Sequence, residues 1–176
     1  MELFFIVLRN IAIFIAALYL LFVIVDVVFV VSFSSILANH DHDLFVILTN
    51  KKDNLSNCLV LLNKHKVKVD KKVADSLNNF DIQLIEHQDG EEARKARELL
   101  TLLSEQIMSV ARDNPKVTED EEFTLIETNV NELESVYRHH IVLYNADVLG
   151  YNFWISFFPT RYIYKILKRK HKNIIS

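Results

Sequence analysis

The chain has 176 residues but only two glycines and two prolines, too few turn residues for a β-rich fold. Its net charge of −3 gives no basic surface for nucleic acid, so no nucleic-acid partner is expected. The single cysteine, Cys58, excludes an internal disulfide; it falls on an apolar stripe and reads as a small buried hydrophobe rather than a reactive thiol.

Residues 3–31 are almost continuously apolar, with only Arg9 and Asp26 charged. As a helix this stretch is roughly 43 Å long, against a bilayer hydrocarbon core of about 30 Å. A chain of this size has no core large enough to bury it. A secretory leader, the competing reading, has an apolar region of about 7–15 residues and ends in a small-residue cleavage site. Here the exit reads Ser32-Phe33-Ser34-Ser35-Ile36-Leu37-Ala38, with no such site and no nearby cysteine to carry a lipid. Residues 1–37 are therefore expected to be an uncleaved anchor that crosses the cell membrane once, with membrane lipid as a partner. Arg9 and Asp26 are about 25 Å apart along the helix, so each can snorkel to an opposite interface. Alternatively, Asp26 pairs with Arg9 of a second copy, which would make the protein a homo-oligomer. Basic residues orient the span weakly: Arg9 lies on the amino side, and the first bases on the other side are Lys51 and Lys52.

Residues 38–158 read as one antiparallel helical bundle of four segments, making the fold class all-α. The first continues from the anchor to about residue 66, with Leu44, Leu48, Leu55, Cys58 and Leu62 on one face. The second covers about 69–88, with Val69, Val73, Leu77, Phe80 and Leu84 in its stripe, and Asp89-Gly90 breaks it. The third opens on Asp89 with Glu92 at capping-box spacing, and its stripe is Ala96, Leu99, Leu103, Ile107 and Val110. Asp113-Asn114-Pro115 ends it, since a residue before proline avoids helical dihedrals.

The fourth segment begins at a second capping box, Thr118 with Glu121. Its apolar positions are Phe123, Ile126, Val130, Leu133, Tyr137, Ile141, Tyr144, Val148, Tyr151, Ile155 and Phe158, all at steps of three or four. Gly150 sits inside this run at a cost of about 1 kcal/mol against alanine. Short connections make neighbouring segments antiparallel, and counting directions brings the terminus back to the bilayer surface. That terminus, residues 159–176, carries Arg161, Lys165, Lys168, Arg169, Lys170 and Lys172 among Tyr162, Tyr164, Ile166 and Leu167, with no acid. Aromatic and basic residues together suit a membrane surface. Contact with anionic lipid favours a cytoplasmic location for the bulk of the chain. The competing reading is a solvated basic end.

Residues 114–159 resemble the LemA family of bacterial membrane proteins. The resemblance lies in Pro115, Phe123, Leu133 and Glu134, then Tyr144-Asn145, Tyr151-Asn152, Ile155 and Phe158-Pro159. The Tyr-Asn pair repeated one heptad apart and followed by Phe-Pro is its most specific part. The resemblance implies one amino-terminal span, a long-helix antiparallel bundle and no established enzymatic activity. The family's Arg- and Pro-containing corner between its first two helices is replaced here by Asn63-Lys64-His65-Lys66-Val67-Lys68-Val69-Asp70. Tyr144 and Tyr151 fall on the apolar seam, and Asn145 and Asn152 on an adjoining face, where an amide can bond a neighbouring helix and fix register.

No residue pattern indicates catalysis. There is no nucleophile elbow, no H-E-x-x-H and no phosphate-cradling glycine loop. Glu119, Asp120, Glu121 and Glu122 are explained as a helix start. His40-Asp41-His42-Asp43 offers weak metal candidates in His40 and His42 if that segment is an extended loop. The expectation is a non-enzymatic membrane-anchored scaffold or interaction partner without a cofactor. The alternatives are a membrane-remodelling or self-assembling protein acting through its tail, and a metal sensor acting through His40 and His42.

Overall fold

The computed structural model describes residues 2–86, 91–157 and 160–175, with side chains from residue 4 onward. The described residues are helical and contain no strand. The first helix, α1 (Glu2–Lys64), runs without interruption through the apolar stretch and on into the bundle, 63 residues or about 95 Å. The remaining helices are α2 (Lys71–Asn78), α3 (Glu91–Arg112), α4 (Pro115–Thr118), α5 (Glu121–Ser156) and α6 (Arg161–Ile166), with a 3-10 turn at Ile82–Ile85.

The chain divides into two compact bodies. One comprises residues 38–145 with 174–176, the other 1–37 with 146–173. The first body holds the main core. Leu48, Leu55, Cys58 and Leu62 of α1, Leu77 of α2, Ala96, Leu100 and Ile107 of α3, and Phe123, Ile126 and Val130 of α5 are all buried there. At about 25 cal/mol per Å² of apolar surface removed from water, these side chains dominate the stability of that body.

Polar contacts set the register. Lys51 Nζ lies 2.7 Å from Glu134 Oε2, and Asn129 Nδ2 donates to Asn54 Oδ1 at 3.4 Å, so α1 and α5 run antiparallel in this body. Burial pushes the Glu134 carboxyl up, but the hydrogen bond and charge of Lys51, helped by Arg138, outweigh it and leave it below its ordinary value. Burial raises the Cys58 thiol to about 11, with Glu127 adding to the effect, in keeping with an inert packed side chain.

Several expected boundaries move. The predicted second helix, 69–88, is broken in two. Asp70 caps α2 by accepting from Lys72 N, and Asp81 accepts from Gln83 N to start the 3-10 turn. Such short acidic side chains offer the backbone an alternative to continuing a helix. Ile85, not Leu84, is therefore the buried residue there. On α3 the buried face uses Leu100 and Ala111, while Leu99 is exposed. Asp89 and Gly90 lie outside the described residues.

At the start of α5 the cap is Asp120, which accepts from Glu122 N at 3.0 Å. Thr118 closes the short α4 instead, donating to Pro115 O. Hydrogen bonds from His65 and from the Glu122 backbone hold the Asp120 carboxyl down at about 2.

The turn after α1 needs a residue with positive φ, and Lys66 supplies it at 61°. Val67 N donates to Leu62 O and Lys66 N to Asn63 O, the two bonds of a Schellman motif. The same arrangement ends α6, with Lys168 at φ 54°, Arg169 N on Tyr164 O and Lys168 N on Lys165 O. Lysine takes the place glycine usually occupies at both turns.

Candidate functional site

The second body is organised around the end of α5. Val148, Tyr151 and Ile155 are buried along the predicted seam, together with Val30 and Leu37 of α1 and Tyr164 of α6. Trp154 stacks on Phe29 with ring centroids 4.8 Å apart and planes 3° from parallel. α5 continues through Gly150, where a Cβ would lie 2.8 Å from the Phe33 ring. The glycine is thus a point of close approach.

Asp26 is fully buried in this body. Its Oδ2 accepts a 2.8 Å hydrogen bond from the Tyr164 hydroxyl. Asp26 thus has a partner within its own chain, while its Oδ1 is buried with no hydrogen-bond partner among the described residues. The two residues are 138 positions apart, so no local pattern could have paired them.

The two asparagines of the Tyr-Asn repeat do the same job twice. In the first body, Asn145 Oδ1 accepts from Ile175 N at 2.7 Å and its Nδ2 donates to Ile175 O at 2.8 Å. In the second body, Asn152 Oδ1 accepts from Lys172 N at 2.9 Å and its Nδ2 donates to Lys172 O at 2.8 Å. A side-chain amide carries one acceptor and one donor side by side, which matches the N–H and C=O of an extended residue. The amides thus grip the carboxyl-terminal backbone rather than a neighbouring helix as expected. Tyr144 and Tyr151 are buried beside them. Phe158 and Pro159, the remainder of the motif, lie outside the described residues.

The match of a family profile over residues 42–176, from early in the bundle through the tail, decides the kinship. The chain belongs to the LemA family. No curated protein matches, and no solved structure matches. Within the LemA match, Glu134 binds Lys51, and the Tyr-Asn pairs form the two clamps.

Of the basic residues in the tail, Arg161, Lys165, Lys168, Arg169 and Lys170 are exposed, and Lys172 is half-buried with its backbone held by Asn152. Arg161, Lys165, Arg169 and His171 line a cavity of about 480 Å³ together with Tyr162 and Tyr164. The Arg161 guanidinium lies 4.9 Å from the centre of the Tyr162 ring.

The predicted metal candidates separate. His40-Asp41-His42-Asp43 lies inside α1, not on an extended loop, so the i, i+2 pair points to different faces. His42 is exposed and lines a cavity with Phe45 and Glu86. His40 is half-buried and turns toward α5, where its ring centroid is 6.1 Å from that of His140. Sequence reading could have found the His40/Asp43 pair from its i, i+3 spacing had the segment been read as helix.

Proposed function

We propose that the chain is a membrane-anchored, non-enzymatic protein of the LemA type whose bundle serves as a scaffold or interaction partner. One observation carries this reading. Every side chain from residue 4 to residue 21 is exposed, nearly all are apolar, and the same helix continues into the bundle. Eighteen helical residues extend about 27 Å, close to a hydrocarbon core. This is the one helix among the described residues that is long and apolar enough to cross a membrane. Tyr164 of the tail bonds Asp26, just beyond that stretch, which supports a reading in which Arg161, Lys165, Lys168 and Arg169 meet lipid headgroups. Attraction to an anionic leaflet favours a cytoplasmic bundle and a single pass through the cell membrane.

Alkaline carbonate treatment of membranes tests the anchor: the intact chain should stay in the pellet, and its release into the supernatant would defeat the reading. Protease added to spheroplasts should spare the bundle, and digestion of it would place it on the outer side.

A second reading, membrane remodelling or self-assembly through the tail, is favoured by the apolar side chains left exposed beside these bases. Phe153, Tyr162, Ile166 and Leu167 are all more than half exposed. Neutralising the six tail bases should abolish any dependence of vesicle shape or chain association on anionic lipid. Unchanged behaviour would remove that reading.

A further inference from the structure

We propose that His40, Asp43 and His140 form a binding site for a single divalent transition-metal ion of the zinc class. His40 and Asp43 stand three residues apart on α1, so both face the same neighbour, and α5 supplies His140. All three belong to the same compact body. One ligand atom from each lies within 4.8 Å of the other two. His140 Nδ1 and Asp43 Oδ2 are 3.9 Å apart, beyond hydrogen-bond distance, and the His40 and His140 rings meet at 78°. His140 Nδ1 is buried with no hydrogen-bond partner among the described residues.

The donor set decides the class of ion. Two imidazoles and one carboxylate suit zinc and its first-row neighbours, whereas magnesium and calcium prefer oxygen alone. Bonds of about 2.0–2.2 Å in a tetrahedron put ligand atoms about 3.4 Å apart. The three atoms thus need to close by at most about 1.4 Å, and Asp43, with its side chain 50% exposed, has room to turn inward. Three protein ligands leave the fourth position to water or to a group from a partner.

The packing at this level agrees. Between Leu37 and Leu44, α1 has no fully buried side chain, and α5 has none between Val130 and Tyr144. The apolar seam thus lapses where the three ligands meet. His42, on another face of α1, takes no part, and neither does His139, whose ring stands at 88° to that of His140.

The test uses the full-length chain without a histidine tag, in detergent micelles and stripped with chelator. Titration with zinc chloride, followed by calorimetry, should give one ion per chain, and cobalt(II) should give the visible absorption bands of a tetrahedral site. Asp43→Asn and His140→Ala should each weaken zinc binding at least tenfold, while His42→Ala should leave it unchanged. Circular dichroism checks the fold, and Asp43→Asn, at a half-exposed position, keeps the test decisive if His140→Ala unfolds. Absence of saturable zinc uptake would overturn the site. So would uptake that survives Asp43→Asn and His140→Ala, or that His42→Ala abolishes.

Discussion

The two ends of α5 are held in different ways. Its first half contributes Phe123, Ile126 and Val130 to an apolar core shared with α1 and α3. Its last turns bury Val148, Tyr151 and Ile155 and add a set of directional contacts: Asn145 on Ile175, Asn152 on Lys172, and Trp154 on Phe29, with the Tyr164–Asp26 bond beside them. Apolar burial is non-directional and tolerates exchange of similar side chains. Hydrogen-bonded clamps are directional, and each bond adds only about 0.5–1.5 kcal/mol net. The core should therefore govern global unfolding, and the clamps should govern whether the tail stays docked.

The largest effect should come from the core. Phe123, only 2% exposed, should cost about 3–5 kcal/mol when replaced by alanine, read as a fall in the urea midpoint of the whole bundle. A change confined to the tail would break the contrast.

Next is Tyr164→Phe, which removes the donor to a buried carboxylate and should cost about 1–3 kcal/mol. Faster proteolysis after Arg161 or Lys165, with the bundle's urea midpoint unchanged, is the expected signature. Asn152→Ala and Asn145→Ala should each weaken docking by a similar or smaller amount. Hydrogen exchange should speed up at the amides of Lys172 and Ile175 respectively, and equal acceleration across α3 would contradict local action.

Lys66→Gly should move stability the other way. A non-glycine residue in the left-handed region costs roughly 1–2 kcal/mol, so glycine should raise the midpoint by up to about 1 kcal/mol after its own chain-entropy cost.

The smallest effect is electrostatic. The Asp120 carboxyl titrates lower in the folded chain than in the unfolded one. Its contribution is therefore complete above the unfolded value and is lost as pH falls from about 4 toward 2. Asp120→Asn should flatten the stability profile in that window and lower stability uniformly above it, with no effect below about pH 2.

The contrast also explains what the sequence disclosed. The α5 stripe from Phe123 to Ile155 was legible because one face against one core imposes a 3.6-residue period. The α1 stripe from Leu44 to Leu62 was legible for the same reason, but the helical state of His40–Asp43 was not. The break at Asn79–Asp81 was not, because the apolar spacing carries across it and only the capping habit of aspartate marks it. The end of α1 near Lys66 was legible, but the left-handed geometry there and the turn at Lys168 were hidden because no glycine marks them. The asparagine pattern was visible, but its partner lies 20 to 30 residues away on a segment with no periodicity. His140 joins His40 and Asp43 only through the antiparallel register of α1 and α5, which a linear reading does not supply.

The clamps have one more consequence. Asn145 and Asn152 bond main-chain atoms of the tail, and every amino acid except proline offers the same pair of groups. The grip is blind to what the gripped residues are. The exposed side chains between the two clamps, Asn173 and Ile174, are free to be exchanged, in charge or in bulk, without loosening the hold, and a proline at 172 or 175 is the substitution it would refuse.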